Sequence, residues 1–361
     1  MTSDPEQHFP ADYRQAREAF VAAAEADGFG ITSRIHAKAH SADGKPLFMD
    51  VAAAGARTAR RALLLISGTH GVEGYFGSGV QTGLLRLGLA KRVPKGAKLV
   101  LLHALNPFGF SWNRRVNEHN ADSNRNFVDH ARPPANEAYD RLADAIAPRA
   151  ISPAAFRKAN AALTEYAVAH GPFALQEAIS RGQYRHPDGL YFGGSQESWS
   201  AAMLKDVFRE ELRGVEELVV IDFHTGLGET GASEMITEDL PGSSAYVRAK
   251  KMWGDLVHSS EAGESVSAPL CGTLDQAAAL WMKSKALTFA ALEVGTQSLR
   301  DVFDALRKDN WLHAHSSMEH RHAKAIKKKI RAAFYPDTAD WKRKVWKSAD
   351  GVVGRALAAL G

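Results

Sequence analysis

A histidine and a glutamate three residues apart, His70 and Glu73, stand in a glycine-rich turn, Ser67-Gly68-Thr69-His70-Gly71-Val72-Glu73-Gly74, directly after the apolar run of residues 62–66. An imidazole and a carboxylate carried by one turn can grip one metal ion. Catalytic zinc sites often combine two imidazoles and a carboxylate and keep a fourth position for water. The intervening Gly71 is expected to let the backbone bend close to the ion. Spacing alone does not make a site, because His258 and Glu261 repeat it. That second pair is expected at the solvated end of a helix over residues 245–257, with no strand before it and no glycine inside it. Context separates the two pairs.

A third ligand must come from elsewhere in the chain, and His224 is the natural one. It follows the apolar run of residues 218–223, precedes the turn at Gly226, and has Asp222 two residues earlier. Strand geometry puts Asp222 and His224 on the same face, so the carboxylate can orient the imidazole. Glu293 closes another apolar run, Leu287-Thr288-Phe289-Ala290-Ala291-Leu292. A carboxylate there must be paired, hydrogen-bonded or functional, since an unpaired buried charge costs several kcal/mol. It is either the partner of a buried lysine or arginine, or the group that takes a proton from a water and returns it to a leaving amine.

Residues 106–127 are polar, with Arg114, Arg115 and Arg125 set among many asparagines and no helical or strand period. They read as a long ordered loop, and such loops near strand ends usually carry function. Arginines beside a metal suit bidentate recognition of a substrate carboxylate, or stabilisation of the oxyanion that develops as water adds to a carbonyl. Arg114 is expected instead in loop-stabilising ion pairs with Asp122, Glu118 and Asp129. Arg115 and Arg125 are not.

These residues need a frame. The apolar runs at residues 62–66, 98–102, 218–223 and 287–293 are too continuous for half-exposed strands and read as buried ones. Helical periodicity at residues 75–89 and 199–212 fills the intervals, so the pattern predicts a mostly parallel sheet with helices on both faces. Ligands of such sheets bind beyond the carboxyl ends of the strands. Every residue singled out above falls at such an end. A helical insertion is expected at about 128–200, finishing in the turn at residues 188–194, which reads as a wall of the substrate pocket. The whole chain is expected to form one hydrolase domain, closing with a basic helical segment at about 299–361.

With 361 residues, 45% of them hydrophobic, the chain can bury a large core, and no apolar run approaches the ~20 residues that span a bilayer. The opening octapeptide lacks the basic-then-apolar order of a signal peptide, so a cytoplasmic location is expected. The lone Cys271 provides no internal disulfide and no cysteine cluster, so a metal must be held by His, Asp or Glu. The net charge of +4 is mild, and the basic runs at residues 320–329 and 341–344 lack interleaved aromatics. They read as solvated helix faces; neither a nucleic acid nor a membrane is expected as partner.

Taken in order, the motifs His70-Gly71-Val72-Glu73, Asn106-Pro107, Arg115 to Phe127 with its Asp122-Ser123-Asn124-Arg125-Asn126-Phe127, His224, and Leu292-Glu293-Val294-Gly295-Thr296 resemble the zinc carboxypeptidase superfamily. The likeness is to its bacterial carboxypeptidase-like branch, related to succinylglutamate desuccinylase and aspartoacylase. It implies an α/β/α sandwich on a central mixed sheet and one zinc ion per chain, held by His70, Glu73 and His224. It also implies Glu293 as general base and acid, Arg115 polarising the scissile carbonyl, and Asn124 and Arg125 holding the substrate's terminal carboxylate. Two positions depart from the pattern: Ser123 replaces a leucine, and the segment Ser265 to Ser284 lacks the tyrosine common before the general base.

The resulting expectation is a zinc-dependent, carboxypeptidase-like amide hydrolase that uses zinc-activated water and acts on a small peptide next to a carboxylate-bearing residue. An N-acyl amino acid deacylase of the desuccinylase or aspartoacylase type is the alternative. That type usually appends a strand-rich domain after the general base, whereas residues 294–361 read as helices. A non-catalytic carboxylate-binding module is the remaining reading, and it would be expected to lose a ligand or the general base.

Overall fold

A computed structural model describes residues 4–283 and 285–361. Met1 to Ser3 of the opening octapeptide, and Ser284 at the end of the tyrosine-free segment, lie outside the described residues. The chain starts with helix α1 (Tyr13–Ala26), strands β1 (Gly30–His40), β2 (Pro46–Gly55) and β3 (Arg61–Ile66), helix α2 (Gly74–Arg86), strand β4 (Ala97–His103) and the short helix α3 (Pro107–Ser111). Helices α4 (Glu137–Ile146), α5 (Pro153–His170), α6 (Pro172–Ser180) and α7 (Trp199–Glu210) then lead to strands β5 (Glu217–Thr225) and β6 (Ser233–Thr237). Helix α8 (Ser244–Trp253), strand β7 (Val257–Ser259), helix α9 (Leu274–Met282), strand β8 (Ala286–Val294) and helices α10 (Leu299–His315), α11 (Ala323–Phe334) and α12 (Ala339–Ala359) complete it.

The strands form one sheet in the order β1-β2-β4-β3-β5-β8-β6-β7. Its centre, β4-β3-β5-β8, is parallel. The strands β1, β2 and β6 join antiparallel, so the sheet is mixed rather than mostly parallel, as the family resemblance implied. The central four coincide with the apolar runs, because both of their faces are buried. The outer strands escape that signal: β1 is largely exposed and alternates polar with apolar residues.

Alternate residues of the central strands feed two cores. Leu63, Leu65, Leu101, Ile221 and Phe223 pack under α1, α2, α8 and α12. Leu64, Ile66, Leu102 and Val220 pack under α7 and α9 on the other face. The result is an α/β/α sandwich. Each fully buried leucine or isoleucine contributes roughly 1.5–3 kcal/mol relative to exposure.

A third core lies above the carboxyl ends of the strands. There α4, α5 and α6 pack against α10 and α11 through Tyr139, Leu142, Leu163, Val302, Leu306 and Ile330, with Val72 of the glycine-rich turn after β3 at its base. Its helices start where the sequence caps them: the Ser152 side chain accepts from Ala155 N before Pro153, and Gly171 at φ 93° separates α5 from Pro172 of α6. Helix α11 buries Ile326, Ile330 and Phe334. Its basic face is not wholly solvated, since Lys327 Nζ donates to Asp309 Oδ1 at 2.5 Å.

Two placements differ from expectation. Helix α8 ends at Trp253, and His258 lies in the edge strand β7, 3.7 Å from Glu234, rather than at a helix terminus. Residues 106–127 are not one loop: α3 interrupts them, and a single 3-10 turn covers Ser123–Arg125. Arg114 also finds other partners than expected. Its Nε donates to Asp309 Oδ2 at 3.2 Å and its Nη2 to Asn120 Oδ1 at 2.9 Å, because α10 folds back over the loop.

Asp309 therefore compensates two buried cations, Arg114 and Lys327, which hold its carboxyl below the usual range although burial opposes this. Asp309→Ala should cost about 3–5 kcal/mol in unfolding free energy by leaving both uncompensated. Urea denaturation measures it. A loss under about 0.5 kcal/mol would mean that the cluster is solvated and does not tie α10 and α11 to the loop.

Candidate metal centre

His70 and Glu73 leave the end of β3, His224 lies in β5, and Glu293 in β8. His224 sits inside the strand, not after it as the apolar run suggested, because it pairs in register with Glu293 and both are buried. Parallel pairing brings these ends together: Ile66 is opposite Asp222, and His224 is opposite Glu293.

His70 Nδ1 lies 3.0 Å from Glu73 Oε1. His224 Nδ1 lies 3.0 Å from Glu73 Oε2 and 3.2 Å from His70 Nδ1. Ligand atoms of all three residues fall within 4.8 Å of one another. The other ring nitrogens are held from behind. His224 Nε2 is 2.8 Å from Asp222 Oδ2, whose carboxylate also accepts from the Thr69 hydroxyl at 2.8 Å. His70 Nε2 is 3.0 Å from Asp122 Oδ1 and 2.8 Å from Arg115 Nη2. One ring nitrogen makes one of these bonds at a time: it donates to Asp122 when protonated and accepts from Arg115 when not.

The donor set fits a metal ion. Imidazoles that donate from Nε2 to buried carboxylates present lone pairs at Nδ1, and two such lone pairs converge here on one carboxylate. In the protein alone those charges lean on each other. Although burial opposes both shifts, Asp222 and Glu73 raise His224 well above the ordinary histidine value, and His70 and His224 hold Glu73 below the carboxylate range.

Gly71 has another task than the flexibility expected of it. A Cβ there would lie 2.0 Å from the Gly109 carbonyl carbon, so the turn is pressed against the backbone of α3. Backbone bonds from Gly71 N to Arg115 O (3.1 Å) and from Val72 N to Arg114 O (2.8 Å) tie it to the arginine segment. Asn106 caps α3 by accepting from Gly109 N, and its Nδ2 donates to Arg115 O.

Glu293 stands beside this cluster. Its Oε1 accepts from Leu227 N at 2.8 Å, and among the described residues no lysine or arginine pairs with it. Burial and the Glu73 carboxylate push it up to about 8. Arg115, expected to be free of ion pairs, makes two: Nε to Asp122 at 2.9 Å and Nη1 to Glu73 at 3.0 Å. A buried guanidinium this close to two carboxylates has no cheaper arrangement. Arg125 donates from Nε and Nη2 to Ser180 O and from Nη1 to Asn124 O, which leaves one N–H on each terminal nitrogen. Asn124 Oδ1 accepts from Leu274 N at 2.8 Å, so its amide nitrogen remains a donor.

His70, Glu73, His224, Glu293, Arg115, Asn124 and Arg125 all line one cavity of about 940 Å³. From the turn at residues 188–194, Tyr191 enters the cavity wall in a left-handed conformation, φ 53°, with its ring 5.3 Å from the Arg115 guanidinium carbon and 5.7 Å from that of Arg125. Residues 108–113, by contrast, stay outside it; Phe110 belongs to the core under α1 and α2. Glu238 and Asp275, which sequence pattern did not single out, form an acidic wall beyond Arg125. Asp275 stands two residues after Thr273, which caps α9, and Glu238 carries no local signal at all.

One family model, described as "Protein of unknown function (DUF2817)", matches residues 9–348. The chain belongs to this family. No curated protein matches it in sequence. Among solved structures, bovine thrombin-activatable fibrinolysis inhibitor, in complex with tick carboxypeptidase inhibitor, superimposes with a TM-score of 0.50 at 11% identity over 99% of both chains. Carboxypeptidase A from Helicoverpa armigera gives 0.47 at 12% identity over 94% of this chain and 73% of that one. An aspartoacylase family protein from Mesorhizobium loti gives 0.38 at 14% over 80% and 67%. The first of these supports a likeness of fold, the metallocarboxypeptidase sandwich. Among the described residues no helix is long and apolar enough to cross a membrane.

The acidic wall has a measurable consequence. Burial, Glu238 and Asp239 raise Asp275 well above the usual carboxylate range. The folded protein thus keeps a proton that the unfolded chain releases above about pH 3.9, and wild-type stability falls as pH rises beyond that point. Asp275→Asn removes the effect. Its melting temperature should exceed that of the wild type at about pH 8 by on the order of 2 °C more than at about pH 4. A constant difference would show that Asp275 ionises freely.

Proposed function

We propose that the protein is a zinc-dependent amide hydrolase that cleaves the bond next to a carboxylate-bearing residue. The observation that carries this reading is the convergence of His70 Nδ1, Glu73 and His224 Nδ1, backed by Asp122 and Asp222, beside a Glu293 carboxyl without a cationic partner. His70, Glu73 and His224 would hold the ion. Zinc bound there supplies Lewis acidity, acidifying a water and polarising a carbonyl.

The chain's own residues do the rest. Glu293 is fixed through one oxygen by Leu227 N, which leaves Oε2 to take a proton from the attacking water and return it to the departing nitrogen. With His70 Nε2 donating to Asp122, Arg115 keeps three N–H groups beyond its bonds to Asp122 and Glu73, and these can meet the carbonyl oxygen as charge develops on it. The two remaining N–H groups of Arg125 and the amide of Asn124 form a donor set matched to a carboxylate. Tyr191, packed against both guanidiniums, holds them apart from solvent at the wall between the two tasks. A small peptide or an N-acyl amino acid fits this arrangement, and a cytoplasmic setting belongs to the same proposal.

Glu293→Gln should lower kcat by at least about 100-fold while one zinc per chain remains by elemental analysis. Full turnover in that variant would sink the assignment of the base. Arg125→Ala should raise KM by roughly 10-fold or more for substrates with a free carboxylate and spare their methyl esters. Equal responses of acid and ester would remove Arg125 from carboxylate binding.

A further inference from the structure

Two chemically different groups of residues line the cavity beside the His70, Glu73 and His224 cluster. One end is built on Asn124 and Arg125 and continues to Glu238 and Asp275. It is pinned there by the bond from Leu274 N to Asn124 and by Gln276 Nε2 donating to Glu238 at 2.9 Å. The other end begins with the residues after His224: Thr225 donates to Phe334 O at 2.7 Å, and a Cβ on Gly226 would lie 3.0 Å from the Phe334 ring. Above it stand Leu163 of α5 and Val302, Phe303 and Leu306 of α10.

This second end is mostly apolar; of its polar neighbours on α5, Asn160 accepts from Arg307 Nη1 at 2.7 Å and Thr164 follows Leu163. Two charged side chains also line it, and neither supplies a buried counter-ion. Asp304 is paired with Arg307 at 3.2 Å, and Arg300 is exposed at the start of α10. The volume of about 940 Å³ is near the upper end of small-molecule sites, which hold ligands far larger than one amino acid. With a carboxylate at the Arg125 end and the reacting carbonyl at the metal cluster, the carbonyl-bearing half of the substrate extends under α5 and α10.

We propose that the α5–α10 end of the cavity binds the acyl half of the substrate and selects an apolar group there, either a fatty acyl chain or an apolar residue's side chain. This rests on the amide hydrolase reading above. Acidic acyl groups such as succinyl are disfavoured, because the buried cation nearest this end, Arg307, lies behind Phe303, does not line the cavity and is already engaged by Asp304 and Asn160. Phe303 and Leu163 act as specificity determinants through contact with the acyl group.

The test is a substrate series on the zinc-loaded protein: N-acetyl-, N-hexanoyl-, N-decanoyl- and N-succinyl-alanine, with N-acetyl-leucyl-alanine as the peptide arm. kcat/KM should rise about threefold per added methylene, and N-succinyl-alanine should fall below N-hexanoyl-alanine. Phe303→Ala and Leu163→Asn should flatten that slope. A rise confined to the leucyl substrate would identify the apolar group as a side chain. Calorimetric titration of the same acyl series into Glu293→Gln, or into wild type where it does not turn over, separates the two levels of inference. Affinity that climbs with chain length, while the zinc-loaded wild type hydrolyses none of the series, supports the apolar end and overturns the hydrolase reading. Hydrolysis with a flat series, or a preference for succinyl, overturns the apolar end and leaves the hydrolase standing. Flat binding without turnover overturns both.

Discussion

Two imidazoles face each other 3.2 Å apart at Nδ1 in a buried space, and the rest of the site depends on how that contact is kept. Neither ring could hold its place by packing alone, since each carries a second nitrogen that needs a partner once water is excluded. Asp222 answers for His224 and Asp122 for His70. The two carboxylates arrive by different routes. Asp222 is fixed by strand geometry, two residues before His224 on the same face of β5. Asp122 comes from a segment that no sheet ladder holds, so it must be anchored by its own bonds.

Asp122 is consequently a hub. Its carboxylate meets His70 Nε2 and Arg115 Nε, and it accepts from Asn124 N to cap the turn that presents Asn124 and Arg125. Arg115 and His70 hold it well below the usual carboxylate range even though it is fully buried. One charge therefore couples a candidate ligand, a guanidinium and the start of the proposed carboxylate-binding pair. Such coupling makes single contributions non-additive, because removing Asp122 would release all three at once.

The central strands and all three candidate ligands were legible in the sequence because burial on both faces leaves uninterrupted apolar runs, and a polar residue at the end of such a run is conspicuous. His224 and Glu293 stood out for that reason. The outer strands were not legible, since β1 and β7 lie at the sheet's edges and carry mixed patterns. Nor were the partners of the arginines. Arg114 meets Asp309 and Arg125 meets Ser180 O across long separations in sequence, and a guanidinium gives no local sign of which acceptor it will reach. Glu238 and Asp275 were silent for a related reason: two carboxylates on separate elements acquire meaning only when a fold buries them together.

The arrangement of Asn124 and Arg125 has a consequence for how such a site can change. Neither residue is fixed by the strands that carry the candidate metal ligands. Arg125 leans on Ser180 O at the end of α6, and Asn124 on Leu274 N at the start of α9. Asn124 and Arg125, the proposed carboxylate-binding pair, are thus suspended from helices, whereas His70, Glu73, His224 and Glu293 are referred to adjacent parallel strands. The helices α4, α5 and α6 share a core with α10 and α11 rather than with the sheet. Substitutions in that upper core can shift Arg125 and the apolar end of the cavity while the register of β3, β5 and β8 is untouched. The residues proposed for recognition and those proposed for chemistry are separated physically, by which layer holds each, and the interface between the layers is the short run from Asp122 to Arg125.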